Sequence, residues 1–182
     1  MFYLYFLALT AAEMLWEVRV SSRNSAALLR RGAVEVAPAL LPIMTVMYIA
    51  MYIGSGWEYH YFSRQISLTW AMSFVLLFLA AKLLKLWAVS SLGNYWTMKV
   101  LIVPGSSVVV KGPYRWMKHP NYVAVLLEIA AIPLVARCYL TFAAVCIGFP
   151  AVLFFRIRAE EKALLHYTDY ASQMRSKGRF LP

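Results

Sequence analysis

LTWAMSFVLLFLAAKLLKLWAVSS, Leu68 to Ser91, holds 24 residues whose only charges, Lys82 and Lys85, sit in its last turns. About 20 apolar residues wound as a helix cross the roughly 30 Å hydrocarbon layer of a bilayer, so this run reads as a transmembrane helix. Four further apolar runs flank it: Phe2 to Trp16, Ala37 to Ile53, Tyr122 to Ala136 and Tyr139 to Phe155. The first, fourth and fifth are short and must tilt, borrow flanking residues or pack in a tight hairpin. The expected fold class is therefore an all-α integral membrane protein with about five transmembrane helices. With 182 residues, 62% of them hydrophobic, and no long linker or repeat, the chain is expected to form a single domain over residues 1–182.

The net charge of +10 raises the question of nucleic acid. That reading needs a basic face on a soluble fold, whereas here Lys and Arg gather between apolar runs, so no nucleic-acid partner is expected. Arg19, Arg23, Arg30 and Arg31 follow the first run, and Lys99, Lys111, Arg115 and Lys118 follow the third. Arg156, Arg158, Lys162, Arg175, Lys177 and Arg179 follow the fifth, while Arg64 and Arg137 stand alone in the alternate loops. By the positive-inside rule the N-terminus lies outside and the C-terminus in the cytoplasm of a plasma (inner) membrane. The first run has no basic n-region, contains Glu13 and lacks a small-residue cleavage site, so it is expected to remain in the mature protein.

Local signals fill in the connections. Gly54, Gly56, Trp57, Tyr59, Tyr61 and Phe62 read as an outer interfacial turn with aromatic anchors. VLIVPGSSVVVKGPY, Val100 to Tyr114, offers two β-branched runs around Pro104-Gly105 and is expected to pair as a small hairpin. The tail from Arg156 to Lys177 is expected to continue the fifth helix into the cytoplasm. Cys138 and Cys146, eight apart with no CxxC, read as buried structural thiols, and the scattered His60, His119 and His166 give no metal-ligand spacing, so no metal is expected.

Two polar segments stand out. In GPYRWMKHPNY, Gly112 to Tyr122, Pro120 pushes His119 out of helical geometry and suits a first helical position, so a helix is expected to start there. Unpaired N–H groups at such a start suit an anionic group. In RIRAEEKALL, Arg156 to Leu165, helical spacing puts Arg156 with Glu160 and Arg158 with Glu161. A solvated, salt-bridged helix has the same spacing; the presence of the His-Pro turn on the same side of the membrane is what suggests a site. Glu128, inside the fourth run, is either functional or bonded to a Trp or Tyr of a neighbouring helix.

Taken in order, LGNYWT (Leu92 to Thr97), GPYRWMKHPNY and RIRAEEKALL, with Tyr167, Tyr170 and Leu181-Pro182 after them, resemble the isoprenylcysteine carboxyl methyltransferases, membrane enzymes that use S-adenosylmethionine. Phospholipid N-methyltransferases and NADPH-dependent sterol reductases look related over the same region. LKLWAVSSLGNYWTMKVLIVPG, Leu84 to Gly105, resembles bacterial members, some associated with O-methylation of long-chain alkylpyrones. The resemblance implies N-terminal helices over 1–67, a catalytic core over 68–182, and a cytoplasmic cofactor-binding loop followed by a C-terminal helix. It implies that Tyr114, His119, Pro120, Tyr122 and Glu160 bind the cofactor, and that Arg156 and Glu161 are catalytic, Arg156 holding the acceptor anion. Arg158 either shares that role or pairs with Glu161, and Glu128 is a candidate acceptor contact. The family usually has Arg where Lys118 stands, which removes bidentate recognition there. The implied activity is O-methylation of a lipophilic acceptor; an NADPH-dependent membrane reductase and a non-catalytic membrane subunit are the alternatives.

Overall fold

Ser67 and Gly93 bracket the helix that the decisive run forms. The Ser67 hydroxyl accepts from the Trp70 amide at 3.3 Å, and Gly93 ends the helix with φ +55°. In a computed structural model describing residues 2–174 and 177–180, three quarters of the chain is helical. The elements are α1 (Phe2–Arg30), β1 (Val34–Val36), α2 (Leu40–Phe62), α3 (Leu68–Leu92), β2 (Val100–Ile102), α4 (Pro120–Leu134), α5 (Tyr139–Tyr167) and α6 (Tyr170–Met174). Single 3₁₀ turns occupy Gly93–Tyr95 and Gly112–Arg115.

Three helices, α2, the α3 segment extended to Tyr95, and α5, are long and apolar enough to cross a membrane. Their outward faces carry Ile49, Ile53, Leu76, Leu83, Ile147 and Phe155, all exposed, as lipid-facing helices require. α4 is a shorter apolar helix. α1 runs on through Arg30 instead of ending near Trp16, so the expected basic loop is helical; Ser21, Ser25 and Leu28 are buried on its inner face. Hydropathy stops signalling at Trp16 because the outer face turns charged, while the inner face stays packed.

α3 lies along α4, and α4 and α2 both pack on α5. Lipid tails offer no hydrophobic drive between helices, so close packing and buried hydrogen bonds must hold them. Tyr3 Oη donates to the Ile132 carbonyl at 3.0 Å and Trp70 Nε1 to the Leu134 carbonyl at 2.7 Å. Phe6, Phe78, Met51, Ile129 and Phe149 fill the space between.

Four expectations need correction. Gly54 and Gly56 do not form a turn: α2 continues to Phe62, because a backbone break within lipid strands its polar groups. Trp57 and Tyr61 stack at 5.1 Å on its exposed end. The expected hairpin does not form; Val100–Ile102 pairs antiparallel with Val34–Val36, with Glu35 and Lys99 joined at 2.9 Å beside the ladder. The amides after the Pro-Gly turn are taken elsewhere, Gly105 by the Tyr167 carbonyl and Val108 by Asp169 Oδ1, both at 2.8 Å. The tail does not prolong α5 to Lys177: α5 stops at Tyr167 and the short α6 follows. Cys138 is buried as expected, but Cys146 faces outward. Leu181-Pro182 lie outside the described residues.

Candidate functional site

Pro120 starts α4 as its first residue, with His119 before it at φ −130°, ψ 53°. The turn ahead of it depends on Gly112, whose φ is +53° and against which Ser91 and Trp87 pack. A Cβ there would stand 2.0 Å from Ser91 Oγ and 3.0 Å from Trp87 Nε1. Gly112→Ala therefore combines left-handed strain with a clash, and it is expected to lower stability by about 2 kcal/mol or more, read as a fall in thermal midpoint in detergent.

A cavity of about 250 Å³ runs from this turn down between the helices. Tyr114, His119, Asn121, Tyr122, Arg156 and Glu160 line its loop end, and Glu13, Glu17, Lys82, Lys85 and Glu128 line its deep end. Arg156, 5% exposed, is held with unusual care. Its Nε donates to Tyr122 Oη at 2.9 Å and its Nη2 to the Met98 carbonyl at 2.5 Å, while Nη1 reaches only Met44 Sδ at 3.8 Å. Tyr122 Oη in turn donates to Glu160 Oε2 at 2.5 Å. A guanidinium has five N–H donors, so Arg156 keeps capacity for an anion while Tyr122 and Glu160 fix its plane.

Glu161 sits behind this wall. Its Oε1 meets His119 Nε2 at 3.1 Å, and Arg179 clamps both oxygens, Nη2 to Oε2 at 2.6 Å. Backbone bonds from Lys118 to the Gly178 carbonyl and from His119 to the Arg179 carbonyl, each 3.0 Å, tie the C-terminal segment to the His-Pro turn. Glu161 thus orients the His119 ring, which stacks on Tyr122 at 5.3 Å, and does not itself line the cavity. Pro120 is buried and shapes the turn from below. Arg158 lies on the exposed face with its guanidinium 4.2 Å from the Phe154 ring centroid, directed neither to the cavity nor to Glu161. Glu128 is ion-paired with lysines and not bonded to Trp or Tyr: Lys82 and Lys85 each stand 3.1 Å from it, and of the two Lys85 makes a hydrogen bond.

Burial raises the Tyr114 phenol above its ordinary value, and Glu160 adds to the effect; burial, then Glu161 and Glu160, does the same for Tyr170. Both remain neutral donors at the cavity wall. Tyr170, named above only as part of the resemblance, and Trp96, given no role of its own, also line the cavity, and Asn121 Oδ1 is buried there with no hydrogen-bond partner among the described residues. The Lys82, Lys85, Glu13 and Glu17 contribution was missed as well. Its signal was the i, i+3 spacing of two lysines inside an apolar run and the i, i+4 spacing of two glutamates.

This arrangement of one anchored guanidinium, two neutral phenols, an orphan amide oxygen and a carboxylate fits an organic cofactor beside an anionic acceptor. The model of the isoprenylcysteine carboxyl methyltransferase (ICMT) family matches residues 74–166, about half of the chain, from within α3 to the end of α5. The chain belongs to the isoprenylcysteine carboxyl methyltransferase family. Membership points to a membrane methyltransferase, and the matched segment contains the His-Pro turn, Arg156 and both glutamates. The uncharacterised protein YpbQ of Bacillus subtilis (strain 168) is 38% identical over 152 residues, covering 84% of this chain and 90% of that protein. An uncharacterised protein of Haemophilus influenzae is 23% identical over 155 residues, covering 83% of this chain and 88% of its own length.

Proposed function

We propose that this chain is an S-adenosylmethionine-dependent O-methyltransferase that methylates an acidic oxygen, carboxylate or enol, of a lipophilic acceptor such as an isoprenylcysteine or an alkylpyrone. The observation that carries it is Arg156, buried at the cavity wall with oxygen partners on Nε and Nη2 and only the weak Met44 sulfur on Nη1. When bound, S-adenosylmethionine supplies an electrophilic methyl group on a sulfonium. Tyr114, His119, Asn121 and Glu160 would hold it at the loop end: the orphan Asn121 Oδ1 and the Glu160 carboxylate suit amino and hydroxyl donors, and the rings enclose its flat part. Arg156 holds the acceptor oxygen in line for attack. An acidic oxygen is already ionised near neutral pH, so orientation and exclusion of water do the work, with no strong base.

In this reading α1 and α4 join the three apolar helices to make five spans, with the N-terminus outside and the loop end of the cavity in the cytoplasm of the plasma membrane. The core lies in residues 68–182 of one domain, the cofactor enters from the cytoplasm, and the tail of the acceptor enters sideways from lipid.

Calorimetric titration of the detergent-purified protein with S-adenosylhomocysteine, beside NADPH, tests the reading. Saturable binding of the homocysteine compound alone is expected, weakened about tenfold or more in His119→Ala and in Glu161→Ala, since each removes a charge-assisted hydrogen bond behind the cofactor wall. Binding of NADPH alone would make the chain a reductase.

A further inference from the structure

The polar cluster at the deep end of the cavity has no part in that chemistry. Lys82 Nζ stands 2.5 Å from Glu13 Oε2, 3.2 Å from Glu17 Oε1 and 3.1 Å from Glu128 Oε1. Lys85 Nζ stands 2.6 Å from Glu17 Oε2 and 3.1 Å from Glu128 Oε2. Three carboxylates therefore face two ammonium groups. A clamp between helices needs only two of each, and an unmatched charge at this depth is costly.

The bonding is incomplete at one place. Glu128, with a side chain 6% exposed, lines the cavity, and its buried Oε1 accepts no hydrogen bond: Lys82 is near it but approaches from a direction that makes none. Lys85 donates to Glu17 and to the other oxygen of Glu128, and an ammonium has three N–H groups, so these two bonds leave one donor of Lys85 unused on the same ion pair whose Oε1 accepts no hydrogen bond. A group that donates and accepts at once completes both.

We propose that Glu128 and Lys85 form a second polar subsite for the acceptor, which takes a neutral hydroxyl on the tail side of the reacting oxygen. The hydroxyl donates to Glu128 Oε1 and accepts from Lys85. A carboxylate is repelled by the surplus negative charge, and an ammonium has no lone pair for Lys85. This rests on the proposal that Arg156 holds the reacting oxygen. Tyr122, which fixes Arg156, and Glu128 are six residues apart on α4, about 9 Å along the axis, too far for one oxygen to bond both. The acceptor thus carries an acidic oxygen and, some way along its tail, a hydroxyl.

The test is calorimetric binding in detergent of hexadecanoate, a series of hydroxyhexadecanoates with the hydroxyl moved stepwise along the chain, the matching amino compounds, and hexadecanedioate. Wild type, Glu128→Ala and Glu128→Gln are compared, each also titrated with S-adenosylhomocysteine. One mid-chain hydroxyl position is expected to bind about tenfold tighter than plain hexadecanoate, the worth of one hydrogen bond to a charged group. That preference vanishes in Glu128→Ala, while affinity for the homocysteine compound stays within about twofold, showing a folded loop end. Glu128→Gln, if alanine is not tolerated, is expected to lessen the rejection of the dioate. A flat series, a preference that survives in Glu128→Ala, or tightest binding of an amino compound would overturn the subsite. Failure of the homocysteine compound to bind wild type, with the hydroxyl preference still dependent on Glu128, would sink the methyltransferase reading and leave the subsite standing.

Discussion

Arg156→Met is expected to lower methyl transfer by about 100- to 1000-fold while changing affinity for S-adenosylhomocysteine by less than about threefold. Methionine keeps the length and the apolar stem but removes the only buried guanidinium among the described cavity-lining residues. The oxygen nucleophile then loses both its charge partner and its line of approach, and the loss falls on kcat as well as KM because alignment matters most in the transition state. Arg156→Lys is expected to recover less than a tenth of the activity. A point charge cannot donate to Tyr122 Oη and the Met98 carbonyl while also presenting a free edge to the acceptor. The measurement is transfer of a labelled methyl group from S-adenosylmethionine into membrane lipids by purified variants. Wild-type rates in Arg156→Met would remove Arg156 from the chemistry, and a parallel collapse of cofactor affinity would place it in the cofactor site instead.

Why Arg156 was legible in the sequence, and its supporting cast only in part, follows from how far each signal reaches. The start of α4 is a local matter: Pro at a first helical position acts on its own neighbours, and His119 stands where that rule puts it. The shared face of Arg156 and Glu160 is equally local, set by helical spacing, and Tyr122 joins them from α4. Arg179 is different. It reaches Glu161 only because the chain after α6 turns back along the His-Pro loop, and that reversal depends on backbone bonds between segments some sixty residues apart. The same holds for the strand pair. Val100–Ile102 had a near partner in Val108–Val110 and took a distant one in Val34–Val36, because α1 delivers the latter beside it once its helix runs to Arg30. Lys82 and Lys85 carried a topological meaning in one dimension and gain a chemical one when α1 and α4 bring three carboxylates to them. Arg158 has the spacing of a partner for Glu161 but not the direction, since its side chain packs one turn back against Phe154 on the outer face.

Glu58→Ala is expected to destabilise the protein by about 3–5 kcal/mol although Glu58, on α2, acts at the first turn of α5, several turns away from Arg156. The start of α5 has no side-chain cap of its own: Cys138 precedes it and makes no capping hydrogen bond. Glu58 supplies the cap from α2. Its Oε2 accepts from the Thr141 amide at 2.9 Å and the Thr141 hydroxyl at 3.0 Å, and its Oε1 accepts from the Leu140 amide at 3.1 Å and Arg64 Nη1 at 2.9 Å. Arg64 in turn donates to the Arg137 carbonyl in the four-residue connection between α4 and α5. With the carboxylate only 1% exposed, its removal leaves two amides and a hydroxyl without partners and a guanidinium without its counter-charge, in a place water does not readily reach. Glu58→Gln keeps one good acceptor and loses the charge, so a smaller cost of about 1–3 kcal/mol is expected. Arg64→Ala, at a site 28% exposed, should cost about 1 kcal/mol or less. Thermal unfolding in detergent ranks the three variants, and activity well below the transition should be close to wild type in each, because the loop end of the cavity is untouched. A Glu58→Ala midpoint within about 2 °C of wild type would mean that α5 is held by its packing on α2 and α4 alone, without the borrowed cap.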